Sequence, residues 1–262
     1  GIDRPILIQY FDWLGNVAQG DFGNSLVTRT STANRIRDSL PVSLEIAVIG
    51  VGISILLSIP SGVVAGVKSG TPIDYVLRVV ALLGLAIPSF WLGILLLVVP
   101  SVWFGYLPPL TYVPFTKDPL HNLQQFALPG FAVGFVSAAV LMRITRSSVL
   151  EVIRQDHVRT ARAKGLAERN VIIHHTLKLA FIPVATVLGG QIANVITGTV
   201  IVESVFGLPG TGRLLVQAIN QRDYPLIQAM VMMVAVIVIG VNLIVDISYA
   251  WLDPRIRYGD GR

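Results

Sequence analysis

The sequence predicts an all-α protein that crosses a membrane several times. Three observations carry this. Hydrophobic residues make up 53% of the 262 residues and charged residues only 13%, against about 25% charged in a soluble domain. So little charge cannot cover a surface in water, and the mean hydropathy is +0.69. Uncharged, mostly apolar runs also recur five times, at 46–67, 79–116, 123–142, 179–202 and 224–245, and a bilayer core needs about 20 apolar residues of helix. One such run could be a buried helix of a large soluble core; five in one chain leave that reading little room.

Each run is fenced by charge. Residues 1–45 are polar and precede the first span, which lies between Glu45 and Lys68. The second is strongly apolar over 79–103 and long enough to cross with room for a turn. The third ends at Arg143, the fourth lies between Lys178 and Glu203, and the fifth between Asp223 and Asp246. Pro60, Pro88 and Pro183 lie within or near spans, and each should bend or end its helix by removing a donor. Small residues recur at helix-packing spacing: Gly62 with Gly66, Gly130 with Gly134, and Gly189, Gly190, Ala193, Thr197 and Gly198 along the fourth span. Such faces let backbones approach closely in lipid; some could instead line a path.

Lys and Arg mark the cytoplasmic side. Thirteen of the 20 fall in 68–78, 143–178 and the C-terminal tail, eight of them in 143–178. Those segments are expected inside, and 1–45, 104–122 and 203–223 outside. The domain plan is therefore an external segment at 1–45, a membrane domain at 46–250 and a cytoplasmic tail at 251–262. Five crossings with the C-terminus inside leave the N-terminal segment outside, which points to a sixth helix, the first, upstream of the sequence.

Several chemistries find no support. The formal charge of +5 falls in blocks between apolar runs, which suits basic internal loops rather than nucleic acid. Absent cysteine removes disulfides and thiolate chemistry. No charge sits at the middle of a span, which weakens a proton-coupled carrier; Glu45, Glu203 and Asp246 sit at edges where they can reach water. No filter motif or Arg-rich span supports an ion channel. Gly207, Gly210 and Gly212 lack the Gly-Lys-Ser/Thr ending of a phosphate loop. His157, His174 and His175 lack companion ligands for a metal. No nucleophile elbow or His-Glu-x-x-His is present, so no enzyme chemistry is expected.

The 143–178 segment is unusual. Arg146 to about Lys164 reads as a basic amphipathic helix with Val149, Val152 and Ile153 on one side, stopped or turned at Gly165. One reading is a solvated loop that only sets orientation. The other is a short helix with small residues that docks in a partner's groove.

His157-Val158-Arg159-Thr160-Ala161-Arg162-Ala163-Lys164-Gly165-Leu166 resembles the cytoplasmic loop of inner-membrane permeases of ATP-driven, binding-protein-dependent importers, in the dipeptide/oligopeptide/nickel branch, whose pattern is Tyr-x-Arg-Thr-Ala-Arg-Ala-Lys-Gly-Leu. The wider superfamily's Glu-Ala-Ala and later Ile-x-Leu-Pro are departed from, with Arg159, His175 and Lys178 in place of Glu, Ile and Pro. Similarity continues through Pro5, Gln9-Tyr10 and Trp13-Leu14, Gly20 to Ser25, Leu40-Pro41 with Ser43-Leu44-Glu45, Glu203 with Val205 to Gly210 and Gly212, Asp223-Tyr224-Pro225 and Asp253 to Arg257. It covers essentially the whole chain and resembles the B-type permease.

The resemblance implies a type I ABC importer permease fold in the inner (plasma) membrane of a bacterium. Its partners would be a homologous permease, two ATP-binding subunits, an external peptide-binding protein and membrane lipid. This chain would hold no cofactor, and ATP and Mg would be bound by the ATPase subunits. Arg159, Thr160, Ala161, Arg162, Ala163, Lys164, Gly165, Leu166, Glu168 and Arg169 would form the ATPase-coupling element. Ala161 and Ala163 would allow close packing in the ATPase groove, Gly165 would turn the chain, and Arg162, Lys164, Glu168 and Arg169 would make polar contacts. Gln191, Asn194 and Thr197, with Ser137, would line the translocation path; interhelical hydrogen bonding is the competing reading. Trp13, Leu208, Pro209, Arg213 and Arg222 would meet the binding protein or gate the cavity. Nickel or another small ligand is the alternative cargo, and a non-transporting scaffold subunit the alternative role.

Overall fold

The computed structural model describes residues 4–109 and 111–252, without the side chains of residues 193, 194, 196, 197, 246 and 248–252. The expected tail at 251–262, with the Asp253 to Arg257 similarity, therefore lies almost wholly outside the described residues. Helices make up the fold: α1 (Ile6–Ala18), α2 (Thr32–Val67), α3 (Pro72–Ala86), α4 (Ser89–Phe104), α5 (Pro119–Ile153), α6 (Asp156–Ala163), α7 (Glu168–Asn170), a π-helical stretch (Val171–Leu177), α8 (Lys178–Val205), α9 (Thr211–Gln221) and α10 (Tyr224–Leu252).

Four stretches are long and apolar enough to cross a membrane: Thr32–Val67, Pro119–Ile153, Glu168–Ile192 and Tyr224–Val245. The second expected span is not straight. It is the pair α3 and α4, bent by 101° at the break, and counts as a fifth crossing only if the pair is one span. The cause is local. Ile87 is extended at φ −90°, ψ 122° before Pro88, as the proline ring demands of its predecessor. Pro60 and Pro183, by contrast, lie inside continuous helices, so neither ends its helix.

The α2–α5 contact is the most extensive in the fold, and glycine makes it. A Cβ on Gly62 would stand 2.8 Å from the Met142 carbonyl oxygen, on Gly66 2.7 Å from Val149 Cγ1, and on Gly134 2.6 Å from the Gly50 carbonyl oxygen. On Gly130 it would meet Ile49. Both Gly-x-x-x-Gly faces are therefore packing seams. Gly190 and Gly198 on α8 instead face open space. Around the seam, Val42, Ile46, Phe126, Val133, Val202 and Leu208 form one core cluster, and Val149, Val152, Val158, Ala161 and Val171 form another.

The loops sort to two ends of the bundle. Arg146 binds Asp74 through Nε at 2.7 Å and Nη2 at 2.9 Å, and reaches Ser69, so segments 68–78 and 143–178 share one end. Glu45 accepts from Tyr112 and Asn122, Ser43 meets Glu203, and Ser25 meets Asp223. Segments 1–45, 104–122 and 203–223 thus share the other end. This is the partition that the basic residues predict.

Candidate functional site

At the basic end the expected single helix from Arg146 to Lys164 is two. α5 carries on to Ile153, the chain turns at Arg154–Gln155, and α6 starts afresh after an extended Gln155. Val158 and Ala161 of α6 are buried against Val149, Val152 and Val171. Ala161 therefore packs in the chain's own core and leaves no face for a partner. Arg159, Thr160, Arg162, Ala163, Lys164, Gly165, Leu166, Glu168 and Arg169 are exposed.

Gly165 takes φ +77°, a left-handed conformation that glycine adopts without Cβ strain. The chain doubles back there, and Arg162 faces Glu168 across the turn, Nη2 to Oε1 at 2.7 Å and Nε to Oε2 at 3.1 Å. That hydrogen bond holds the Arg162 guanidinium above its usual pKa. Arg162 and Glu168, expected to make polar contacts with an ATPase subunit, thus also contact each other. His157 Nε2 lies 3.1 Å from the His175 carbonyl oxygen, tying α6 to the π-helical stretch. The result is a braced, exposed elbow with Arg159, Ala163, Lys164, Leu166 and Arg169 on its surface.

At the opposite end Glu203 is fully buried, contrary to the expectation that it reaches water. Its Oε1 accepts from Ser43 Oγ at 2.6 Å and Thr199 Oγ1 at 3.0 Å, and Oε2 accepts from the Arg213 backbone N–H at 3.0 Å. Thr211 N–H donates to Ser43 Oγ at 2.8 Å. A carboxylate is thereby set against the first turn of α9, where helix N–H groups lack partners. Gly210 is required there, since a Cβ would collide with that carboxylate.

Asp223 is likewise buried. It accepts from Ser25 Oγ and from the Leu26 N–H at 3.0 Å, with Arg35 at 3.7 Å. This fastens the 25–28 turn to the start of α10. Tyr112 donates to Glu45 at 3.2 Å. Burial, then the Glu45 charge, pushes the Tyr112 pKa up to about 12.

The expected external contacts divide. Pro209 and Arg222 are exposed and Arg213 is half-buried with Nη1 donating to the Gly207 carbonyl. Leu208 is a core residue, 1% exposed, so it cannot touch a docking protein in this conformation. Trp13 sits on α1, which has no buried residue; the Trp13 ring lies tilted beside Tyr10, which meets Phe11 edge to face.

Of the expected path residues, Ser137 and Gln191 come together: Gln191 Nε2 donates to the Ser137 carbonyl at 3.1 Å. This is an interhelical bond between α5 and α8. Gln191 Oε1 is buried without a partner. The side chains of Asn194 and Thr197 lie outside the described residues.

Sequence reasoning missed Asp74, 1% exposed and bound to Arg146, and the hydroxyl shell of Ser43, Thr199 and Thr211 around Glu203. Asp74 carried a usable signal, an acid two residues after Pro72 at a helix start. Among the described residues no group of three or more His, Cys, Asp or Glu is placed to hold a metal ion.

Residues 58–258 match the family model described as "Binding-protein-dependent transport system inner membrane component". The chain is 41% identical over 264 residues to the oligopeptide transport system permease protein AppB of Bacillus subtilis (strain 168), covering 98% of this chain and 83% of that protein. It is 37% identical over 278 residues to the di/tripeptide transport system permease protein DppB of Pseudomonas aeruginosa (strain UCBPP-PA14), covering 98% and 83%. Among solved structures it resembles a chain of the inward-facing MetNI methionine ABC transporter, with TM-score 0.67, 13% identity and 84% and 96% coverage. It also resembles a chain of an amino acid ABC transporter crystallised with histidines, with TM-score 0.64, 16% identity and 83% and 94% coverage. At such identities these structures speak for the fold alone.

Proposed function

Because the chain belongs to the family of binding-protein-dependent transport system inner membrane components, we propose that it is one of two homologous permeases of a bacterial importer of di- and oligopeptides. The observation that carries the cargo class is the 41% identity with an oligopeptide permease across 98% of the chain. Permease subunits of this family are not themselves ATP-hydrolysing enzymes. Energy enters through partners, as a difference in their affinity for two conformations.

The basic end faces the cytoplasm in this reading, and the α3–α4 pair makes one of five crossings. Two ATPase subunits, which bind ATP and Mg, sit below. One of them receives the exposed elbow of α6, Gly165 and α7 through Arg159, Ala163, Lys164, Leu166 and Arg169. Closing of the ATPases pushes the elbow, and the Arg162–Glu168 brace passes the push into the π-helical stretch and α8. The Glu203 and Asp223 end faces outward, where a peptide-binding protein delivers cargo to the surface bearing Trp13, Pro209, Arg213 and Arg222. Cargo then passes along α5 and α8, past Ser137, Gln191, Asn194 and Thr197, lined by amides and hydroxyls that can exchange hydrogen bonds with a peptide backbone.

The test is uptake of labelled peptide into liposomes holding the full complex, with ATP inside and loaded binding protein outside. ATP-dependent accumulation is expected. No uptake of any peptide by a complex whose ATPase responds to another loaded binding protein would move the cargo to nickel or another small ligand. No uptake and no stimulated ATPase would leave a scaffold.

A further inference from the structure

A cavity of about 580 Å³ opens between the first turns of α2 and the start of α9, at the Glu203 end of the molecule. Its lining combines both signs of charge on two elements: Arg35 and Asp38 from α2, Arg213 and Gln217 from α9, with Leu214 as apolar floor. Both arginines are held in place. Arg35 Nη1 lies 3.7 Å from Asp223, and Arg213 Nη1 donates to the Gly207 carbonyl. A guanidinium has five donors, so each anchored side chain keeps others for a ligand. Asp38 is exposed and makes no hydrogen bond or ion pair among the described residues. The walls are fixed by Glu203, which ties the α9 start to α8 and α2.

We propose that this cleft binds the charged end groups of a short peptide, the carboxylate at Arg35 and Arg213 and the ammonium at Asp38. The volume falls within the ~300–1,000 Å³ of small-ligand sites. A simple anion would meet Asp38, and a simple cation would meet two guanidinium groups; a zwitterion satisfies both, with the carboxylate taken by the planar donor fork suited to it. The inference rests on the peptide-importer reading and its outward placement of this end, and it adds a place where released cargo first touches the permease.

The test uses the complete permease–ATPase complex in nanodiscs without binding protein, titrated by saturation-transfer NMR with dialanine, N-acetyl-dialanine and dialanine amide. Dialanine should bind more tightly than either capped probe. Asp38→Asn should weaken dialanine by about two- to five-fold, the range of exposed ion pairs, and leave N-acetyl-dialanine unchanged. Equal binding of the three probes to wild type, no dialanine binding, or an equal shift of all probes in Asp38→Asn would each overturn the proposal. If Asp38→Asn changes only the ATPase response to the binding protein, the cleft is that protein's contact and the proposal falls. ATP-dependent peptide uptake by the same complex reconstituted in liposomes, with ATP inside and loaded binding protein outside, separates the two readings: uptake with no end-group preference in the binding titration sinks the cleft alone, and absent uptake sinks the cargo class as well.

Discussion

Ser43 on α2 and Glu203 on α8 are 160 residues apart in the chain, and the serine hydroxyl donates to the carboxylate at 2.6 Å in a fully buried site. The same carboxylate holds the first turn of α9 through Arg213 N–H. Three elements therefore meet on one side chain that makes no ion pair among the described residues. Glu203→Gln keeps the shape but puts an NH₂ where either the hydroxyls or the Arg213 N–H need an acceptor. We expect a loss of about 1–3 kcal/mol, read as a lower Tm of the detergent-solubilised complex. An unchanged Tm would show that the carboxylate charge is not needed.

The Arg162–Glu168 pair is bidentate but 39% and 54% exposed, so solvent screens it and its worth is about 0.2–1 kcal/mol. Its effect should be on geometry. Arg162→Glu and Glu168→Arg are each expected to lower binding-protein-stimulated ATPase activity, and the double exchange to restore most of it. Failure of the exchange to restore activity would assign both side chains to separate partner contacts.

Gly165→Pro should uncouple the transporter, because proline cannot adopt φ +77°. The complex is expected to assemble and to hydrolyse ATP at its basal rate without stimulation or uptake. Normal uptake by the variant would remove the elbow from the coupling path.

Gly134→Ala should destabilise, since its Cβ would stand 2.6 Å from the Gly50 carbonyl oxygen and 2.8 Å from Ile53 Cβ; overpacking costs about 1–3 kcal/mol. Gly52→Ala is the control on the same pair of helices. Nothing lies within 4 Å of its Cβ, and alanine is the better helix former. Thermal unfolding of the two variants should move in opposite directions.

Tyr112 should ionise near pH 12, where ordinary tyrosines ionise near 10. The shift favours the neutral phenol, so its hydrogen bond to Glu45 is intact below pH 10 and is lost as pH rises through 12. The absorbance titration of wild type minus Tyr112→Phe should show the missing step at the upper value; a step near pH 10 would place the ring in water.

Composition and charge spacing made the all-α membrane class and four of the long apolar helices legible, because lipid imposes a length and a charge rule on the chain. The Pro88 break was signalled by the proline. The turn at Arg154–Gln155 was not: neither residue is a helix breaker, and the stop comes from Val158 and Ala161 seeking the core. Glu203 was read as a solvated edge group because its hydroxyl partner Ser43 is remote in sequence, and a serine in the polar 1–45 segment carries no sign of a buried partner. Leu208 shows the same limit, since a Gly-Pro-rich loop gives no hint of which residue turns inward.

The 101° break between α3 and α4 bears on how the chain is made. The halves have 15 and 16 residues, each ~22–24 Å of helix, shorter than the ~30 Å hydrocarbon core. Neither is long enough to cross alone, and α3 carries at its start a buried Asp74 whose salt-bridge partner, Arg146, lies 72 residues further along the chain on α5. The ion pair that closes over Asp74 therefore forms only after α4 and most of α5 have been made, so α5 acts as an internal assembly clamp for α3.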